Sequence, residues 1–210
     1  TDKAFAEVVT RIKPGMTELE LQAELIYCLY KNGATGLAFD PIVVSGPNTS
    51  LPHGVAGERV IREGDFVTLD FGASYMGYCS DMTRTIFLGE PSEHQKEIYD
   101  IVLQANLAGI AAVKPGVRFC DVDKACRDYI TEKGYGPQFL HRTGHSIGLE
   151  CHEFGDVSML VKLHGENMTF CGAAKSVPSA KNHQKITKSS ALGREIIQQV
   201  LDTFTDHRAD

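Results

Sequence analysis

The 210-residue chain carries 27 acidic and 21 basic residues, a formal charge of −6, and 42% hydrophobic residues. This is enough apolar material to bury the core of one large domain or two small ones. The charges are spread along the whole length with no Lys/Arg block able to follow a phosphate backbone, which argues against nucleic acid as a partner. No apolar run approaches a bilayer span and no charged-then-apolar leader opens the chain, so the expectation is a cytoplasmic protein with no membrane partner.

The first predicted helix is already under way at Ala4, Phe5, Val8 and Val9. A start inside a longer protein is therefore expected. The helix runs to about Ile12, where Lys13-Pro14-Gly15 breaks it. Thr17 with Glu20 three residues on forms a capping box, and Leu19, Leu21, Leu25, Ile26 and Leu29 give the helical stripe that follows, up to Gly33. The runs Asp65–Gly72 and Tyr78–Phe87 are rich in β-branched and aromatic residues, with Gly72 and Gly77 bracketing a turn, and predict a hairpin. Ser92 with Gln95 repeats the capping box and opens a helix through Ile98, Val102, Leu103 and Leu107 that Lys114-Pro115-Gly116 stops. Another helix is predicted from about Asp121 to Lys133, ending at Gly134.

The same number of residues separates Lys13 from Gly33 and Lys114 from Gly134. A helix, Lys-Pro-Gly, helix, Gly unit of this length is too long for a solenoid repeat and predicts two pseudo-symmetric halves closing around one sheet. Chance recurrence of a common helix terminator is the plainer alternative. The six cysteines, Cys28, Cys79, Cys120, Cys126, Cys151 and Cys171, make no C-x-x-C pair and read as free thiols.

If the hairpin turn is centred between Tyr75 and Met76, Asp70 and Asp81 face each other across the strands. Like charges in direct opposition destabilise a sheet unless something neutralises them, and a divalent cation would do so. The plainer reading gives one aspartate a turn cap or a surface pair with Arg84. The histidines shift the balance. His53 lies in Ser45-Gly46-Pro47-Asn48-Thr49-Ser50-Leu51-Pro52-His53-Gly54, and His141, His145 and His152 crowd into one short glycine-containing segment. Gly144 and Gly148 argue against a helix there, and an extended segment would put His141 and His145 on one face. A lone histidine is more often structural than a ligand, but three in one segment beside an acidic hairpin point to a site.

Taken in order, Ser-Gly-Pro-Asn-Thr-Ser-Leu-Pro-His-Gly, Asp-Phe-Gly, Ser-Asp-Met-Thr-Arg-Thr and Thr-Gly-His-Ser-Ile-Gly-Leu-Glu-Cys-His-Glu resemble metallopeptidase family M24. The likeness is nearer to its Xaa-Pro aminopeptidases and dipeptidases than to methionine aminopeptidases. The resemblance implies an α+β pita-bread (creatinase/aminopeptidase) fold, with two helix–strand halves around a curved antiparallel sheet. Residues 1–170 would form the catalytic domain, without the family's N-terminal domain. It further implies two divalent metal ions (Mn, Co or Zn), with Asp70 a ligand of one, Asp81 bridging both and His145 a ligand of the other. His53 and His152 would line the site for a peptide with proline in second position, and His141 would support them.

The chain then departs from the pattern. Where the family carries Met-Thr-Phe-Ser-Ile/Val-Glu-Pro-Gly, it reads Met168-Thr169-Phe170-Cys171-Gly172-Ala173-Ala174-Lys175, and Ala173 stands at the position of a glutamate ligand. No second glutamate strand is recognisable in residues 171–210, which are polar with one weak helix predicted from about Ala191 to Phe204. Codons for Ser-Val-Glu-Pro read two nucleotides later can encode Cys-Gly-Ala, so a changed reading frame after Phe170 is one origin for this tail. A natural, metal-poor relative kept for binding peptides or a protein is the other. Either way, metal occupancy is expected to be reduced or absent, and unpaired sheet edges are expected to cause poor solubility or a homodimer. Creatine-type hydrolysis without metal fits poorly with retention of Asp70 and Asp81.

Overall fold

The structure, a computed structural model, describes residues 1–159. Expectations about Ala173, the helix near residues 191–204 and the boundary at residue 170 lie outside the described residues. Helix α1 (Asp2–Val8) continues as a 3-10 turn over Val9–Arg11 and ends before Lys13-Pro14-Gly15. Helix α2 (Glu18–Lys31) starts on the expected box: Thr17 Oγ1 accepts the Glu20 N–H at 3.1 Å and Glu20 Oε2 accepts the Thr17 N–H at 2.8 Å. These two bonds satisfy donors that the first helical turn leaves without partners.

Strands β1 (Gly36–Leu37), β2 (Ile42–Ser45), β3 (Phe66–Phe71), β4 (Ala73–Tyr75), β5 (Tyr78–Cys79) and β6 (Met82–Phe87) follow. The second helix pair is α3 (Glu93–Ala112), capped by Ser92 and Gln95, and α4 (Phe119–Glu132). Helix α4 begins before Asp121, because Arg118 closes its first turn with bonds of 2.9 and 2.7 Å to the Asp121 carboxylate. The repeat read from the sequence is present in the backbone. Gly33 and Gly134, which close α2 and α4, both take left-handed conformations, at φ 94° and 90°.

All strand pairs are antiparallel, in sheets ordered β1-β4-β5 and β2-β3-β6 with a separate pair of β7 (Gly144–Ser146) and β8 (Glu153–Val157). The first two sheets share one bent hairpin, since β3 passes into β4 across Gly72 and β5 into β6 across Ser80-Asp81. A Cβ on Gly72 would fall 2.0 Å from the Ser80 carbonyl oxygen, so this close crossing admits only glycine.

The hairpin turn is Met76-Gly77, at φ 50° and 82°, one residue later than the sequence reading placed it. Two left-handed residues give a two-residue turn whose twist matches the strands. The register is therefore Asp70 opposite Thr83 and Phe71 opposite Met82. The direct opposition of Asp70 and Asp81 expected from the sequence does not form. Asp81 instead falls two residues before Thr83, at the bend between β5 and β6 and just outside the ladder.

Every residue of β3 is buried, and its two faces do different work. Val67, Leu69 and Phe71 pack with Leu21, Leu25, Val8 and Ala4 of the first helix pair. Phe66 joins Ile98, Val102, Cys126 and Ile130 of the second pair. Thr68 and Asp70 share the face of Phe66, with Thr68 Oγ1 and Thr85 Oγ1 hydrogen-bonded at 3.1 Å. An apolar alternation on one side thus carries a polar row on the other.

One fully buried carboxylate fixes the loop that carries His53. Glu18, at the start of α2, accepts the Ser45 N–H (2.7 Å), the Ser45 hydroxyl (2.8 Å), the Asn48 amide (3.1 Å) and the Gly57 N–H (3.1 Å). Glu18→Ala would strand the buried Ser45 N–H and the half-buried Gly57 N–H and is expected to destabilise the protein by about 3 kcal/mol in urea denaturation; a loss below about 1 kcal/mol would show that the loop is held by other contacts. The turn assignment has its own test. Met76→Asn, which tolerates the left-handed region better, should raise stability by about 1 kcal/mol, whereas an unchanged or lowered melting midpoint would place the turn elsewhere.

Candidate functional site

The hairpin supplies two acidic side chains. Asp70 is 2% exposed and accepts the Thr83 hydroxyl at 2.8 Å, so the residue opposite it in register also orients it. Asp81 lies just ahead of β6, with its side chain 5% exposed.

The imidazoles come from the second half. Strand β7 (Gly144–Ser146) pairs with β8 (Glu153–Val157), with a bulge between His145 and Ser146. His145 Nε2 lies 3.2 Å from Asp81 Oδ2, and its Nδ1 lies 3.0 Å from the Ser146 carbonyl oxygen. Both ring nitrogens face acceptors, an environment suited to the doubly protonated ring. Burial works against that charge, but the hydrogen bond to Asp81, helped by the Ser146 carbonyl, outweighs it and raises the His145 pKa. The His152 ring lies 4.2 Å from that of His145, centroid to centroid. Its pKa is lowered by partial burial and then by the neighbouring charge of His145.

His53 and His141 meet edge to face at 6.4 Å. His141 precedes β7 in a bend, and so does not share a strand face with His145 as the spacing predicted. Gly144 starts the strand too late for that. The structure thus groups Asp81, His145 and His152 through side-chain contacts, groups His53 with His141, and places Asp70 and Asp81 on the two arms of one hairpin.

The loop between His145 and His152 is tied to the hairpin by the Cys79 N–H donating to the Gly148 carbonyl at 2.7 Å, and is braced by the Leu149 N–H donating to Glu153 Oε1 at 2.7 Å. Two residues that the sequence reading passed over also matter. Asp123 and Arg127 of α4, one helical turn apart, bond to the segment on either side of the histidines. Their i, i+4 spacing was visible in the sequence, but it normally marks a surface pair.

Carboxylate oxygens and an imidazole nitrogen are donors that suit borderline or hard divalent ions. Among the described residues, however, no group of three or more His, Cys, Asp or Glu side chains is gathered to hold a metal. Asp81 and His145 are turned toward each other. The described part of the chain therefore offers ligands of the right kind without a complete metal centre.

The model of metallopeptidase family M24 matches residues 1–177. An uncharacterized peptidase of Bacillus subtilis is 48% identical over 158 residues, covering 75% of this chain and 45% of the relative. The Xaa-Pro dipeptidase of Pyrococcus furiosus is 45% identical over 157 residues with the same coverage. The solved structure of a Xaa-Pro dipeptidase from Bacillus anthracis superposes with a TM-score of 0.73 at 55% identity, over 75% of this chain and 44% of that one. The chain thus spans less than half the length of the relatives it matches. Its fold is the pita-bread architecture expected from the sequence, and the family's peptidases use divalent metal. On the extent of the family match and the identity to these relatives, the chain belongs to metallopeptidase family M24.

Proposed function

We propose that this chain is the catalytic part, residues 1–170, of a cytoplasmic peptidase that releases the N-terminal residue from peptides with proline in second position. The observation that carries the reading is the nearly buried contact of His145 with Asp81 at 3.2 Å, formed between the two halves beside His152. Asp70, Asp81 and His145 would be the retained ligands of a two-ion site for Mn, Co or Zn, with Asp81 shared between the ions. Bound divalent ions in such a site polarise the scissile carbonyl and lower the pKa of bound water. His152 and His53 would donate hydrogen bonds to the peptide and to the oxyanion that develops on its carbonyl. His141, edge-on to His53, would hold that ring in place.

With Ala173 where the family carries a glutamate, metal is held by fewer ligands, so occupancy is reduced and turnover depends on added metal. A homodimer through exposed sheet edges belongs to the same reading. The second reading is a peptide-binding module without hydrolysis, favoured by the lack of a gathered metal group among the described residues.

The deciding experiment titrates Mn²⁺ into the purified chain while following cleavage and binding of an Ala-Pro-containing peptide. Turnover should rise with Mn²⁺, and His152→Ala should lower kcat by about 100-fold. Peptide binding without turnover at saturating Mn²⁺ would assign the binding module instead, and failure to bind the peptide at all would overturn both.

A further inference from the structure

We infer that Asp123, backed by Arg127, is a positioning residue that sets where the segment carrying His141, His145 and His152 stands. Asp123 is fully buried, with 0% exposure, on the face of α4 turned to that segment. Its Oδ1 accepts the Thr143 N–H at 3.1 Å together with the Thr143 hydroxyl, and its Oδ2 accepts the Met159 N–H at 2.9 Å. Thr143 immediately precedes β7, and Met159 follows β8 by two residues. One carboxylate therefore grips both strands at the open end of the antiparallel pair that bears His145 and leads to His152.

Arg127 completes the clamp. It bonds Asp123 Oδ2 through Nε at 2.6 Å and donates from its other nitrogens to the carbonyls of Phe139 (2.7 Å) and His141. Its guanidinium also lies 4.1 Å from the centre of the Phe139 ring. The helix beneath is anchored by Cys126 and Ile130, both fully buried. The pair is thus seated on a rigid element.

A buried ion pair is weak evidence for stability, because desolvation costs about as much as the attraction returns. The distribution of bonds is more informative. If the pair served only α4, its hydrogen bonds would close within the helix. Here most of them leave α4 and end on backbone groups flanking the histidines. Those are the groups whose displacement by an ångström would separate His145 from Asp81. What the positioned segment does rests on the function proposed above; how it is held does not.

The test uses the full 210-residue chain and three substitutions. Asp123→Asn keeps the shape and removes the charge, Thr143→Val removes only the hydroxyl, and Thr143→Ser restores it. Amide exchange is read at Thr143 and Met159 and at Leu21 and Leu25 of α2, and the ring ¹⁵N signals of His145 report its contact with Asp81. Asp123→Asn should speed exchange at Thr143 and Met159 by about tenfold, the equivalent of one hydrogen bond, with little change in α2. It should also shift the His145 ring signals. Thr143→Val should do the same to a smaller degree, and Thr143→Ser should match the unsubstituted chain.

Faster exchange at α2 and the segment alike, or His145 signals that stay in place while the segment loosens, would reduce the pair to a general stabiliser and overturn the inference. If Asp123→Asn does not fold, the two Thr143 variants decide by the same criteria. Mn²⁺ binding is measured in parallel. Its absence from the unsubstituted chain would count against the proposed function alone, because the exchange and ring-signal results need no metal.

Discussion

The contact between His145 and Asp81 joins two parts of the chain that no local rule brings together. Asp81 belongs to a hairpin packed on the first helix pair, and His145 to a strand pair held by the second. For them to meet at 3.2 Å, with side chains only 8% and 5% exposed, the elements that carry each must be held in fixed positions. A mobile loop could not hold two desolvated polar groups in this relation, because each would recover more by returning to water.

The two halves solve this in the same manner. Each helix pair carries one fully buried carboxylate, Glu18 in α2 and Asp123 in α4, and each spends its hydrogen-bonding capacity on the loop that bears the histidines of its half. The equivalence is one of role rather than of aligned position, since the two residues do not match under the Lys-Pro-Gly repeat. Apolar packing of the helices fixes the carboxylates, the carboxylates hold the loops, and the loop of the second half brings His145 to the hairpin. The other face of β3 carries Thr68 and Asp70, both 2% exposed, because Val67, Leu69 and Phe71 take up the apolar packing on the first.

Much of this was legible in the sequence where the determining signal is local. Both capping boxes, the Lys-Pro-Gly breaks and the glycine stops name their helices within a few residues. The hairpin itself was legible from β-branched runs. Its register was not, because Met76 carries no sequence sign that it will take a left-handed conformation, and a shift of one residue there exchanges Thr83 for Asp81 opposite Asp70. The clustering of the histidine segment stood out in the sequence, yet its internal geometry did not: β7 begins only at Gly144, so spacing alone misplaced His141. Asp123 and Arg127 escaped notice because their partners are backbone groups far along the chain, and backbone groups leave no trace in a sequence.

A double-mutant cycle on His145 and Asp81 tests the docking of the two halves most directly. Stability of the two alanine variants and of the double variant would be measured in urea at about pH 6, where the raised pKa of His145 keeps its ring charged. The expected coupling is about 1–3 kcal/mol, fading as pH rises through the His145 pKa and the ring loses its proton. Additivity within about 0.5 kcal/mol at that pH would mean the two side chains do not meet in solution, and the account would fail.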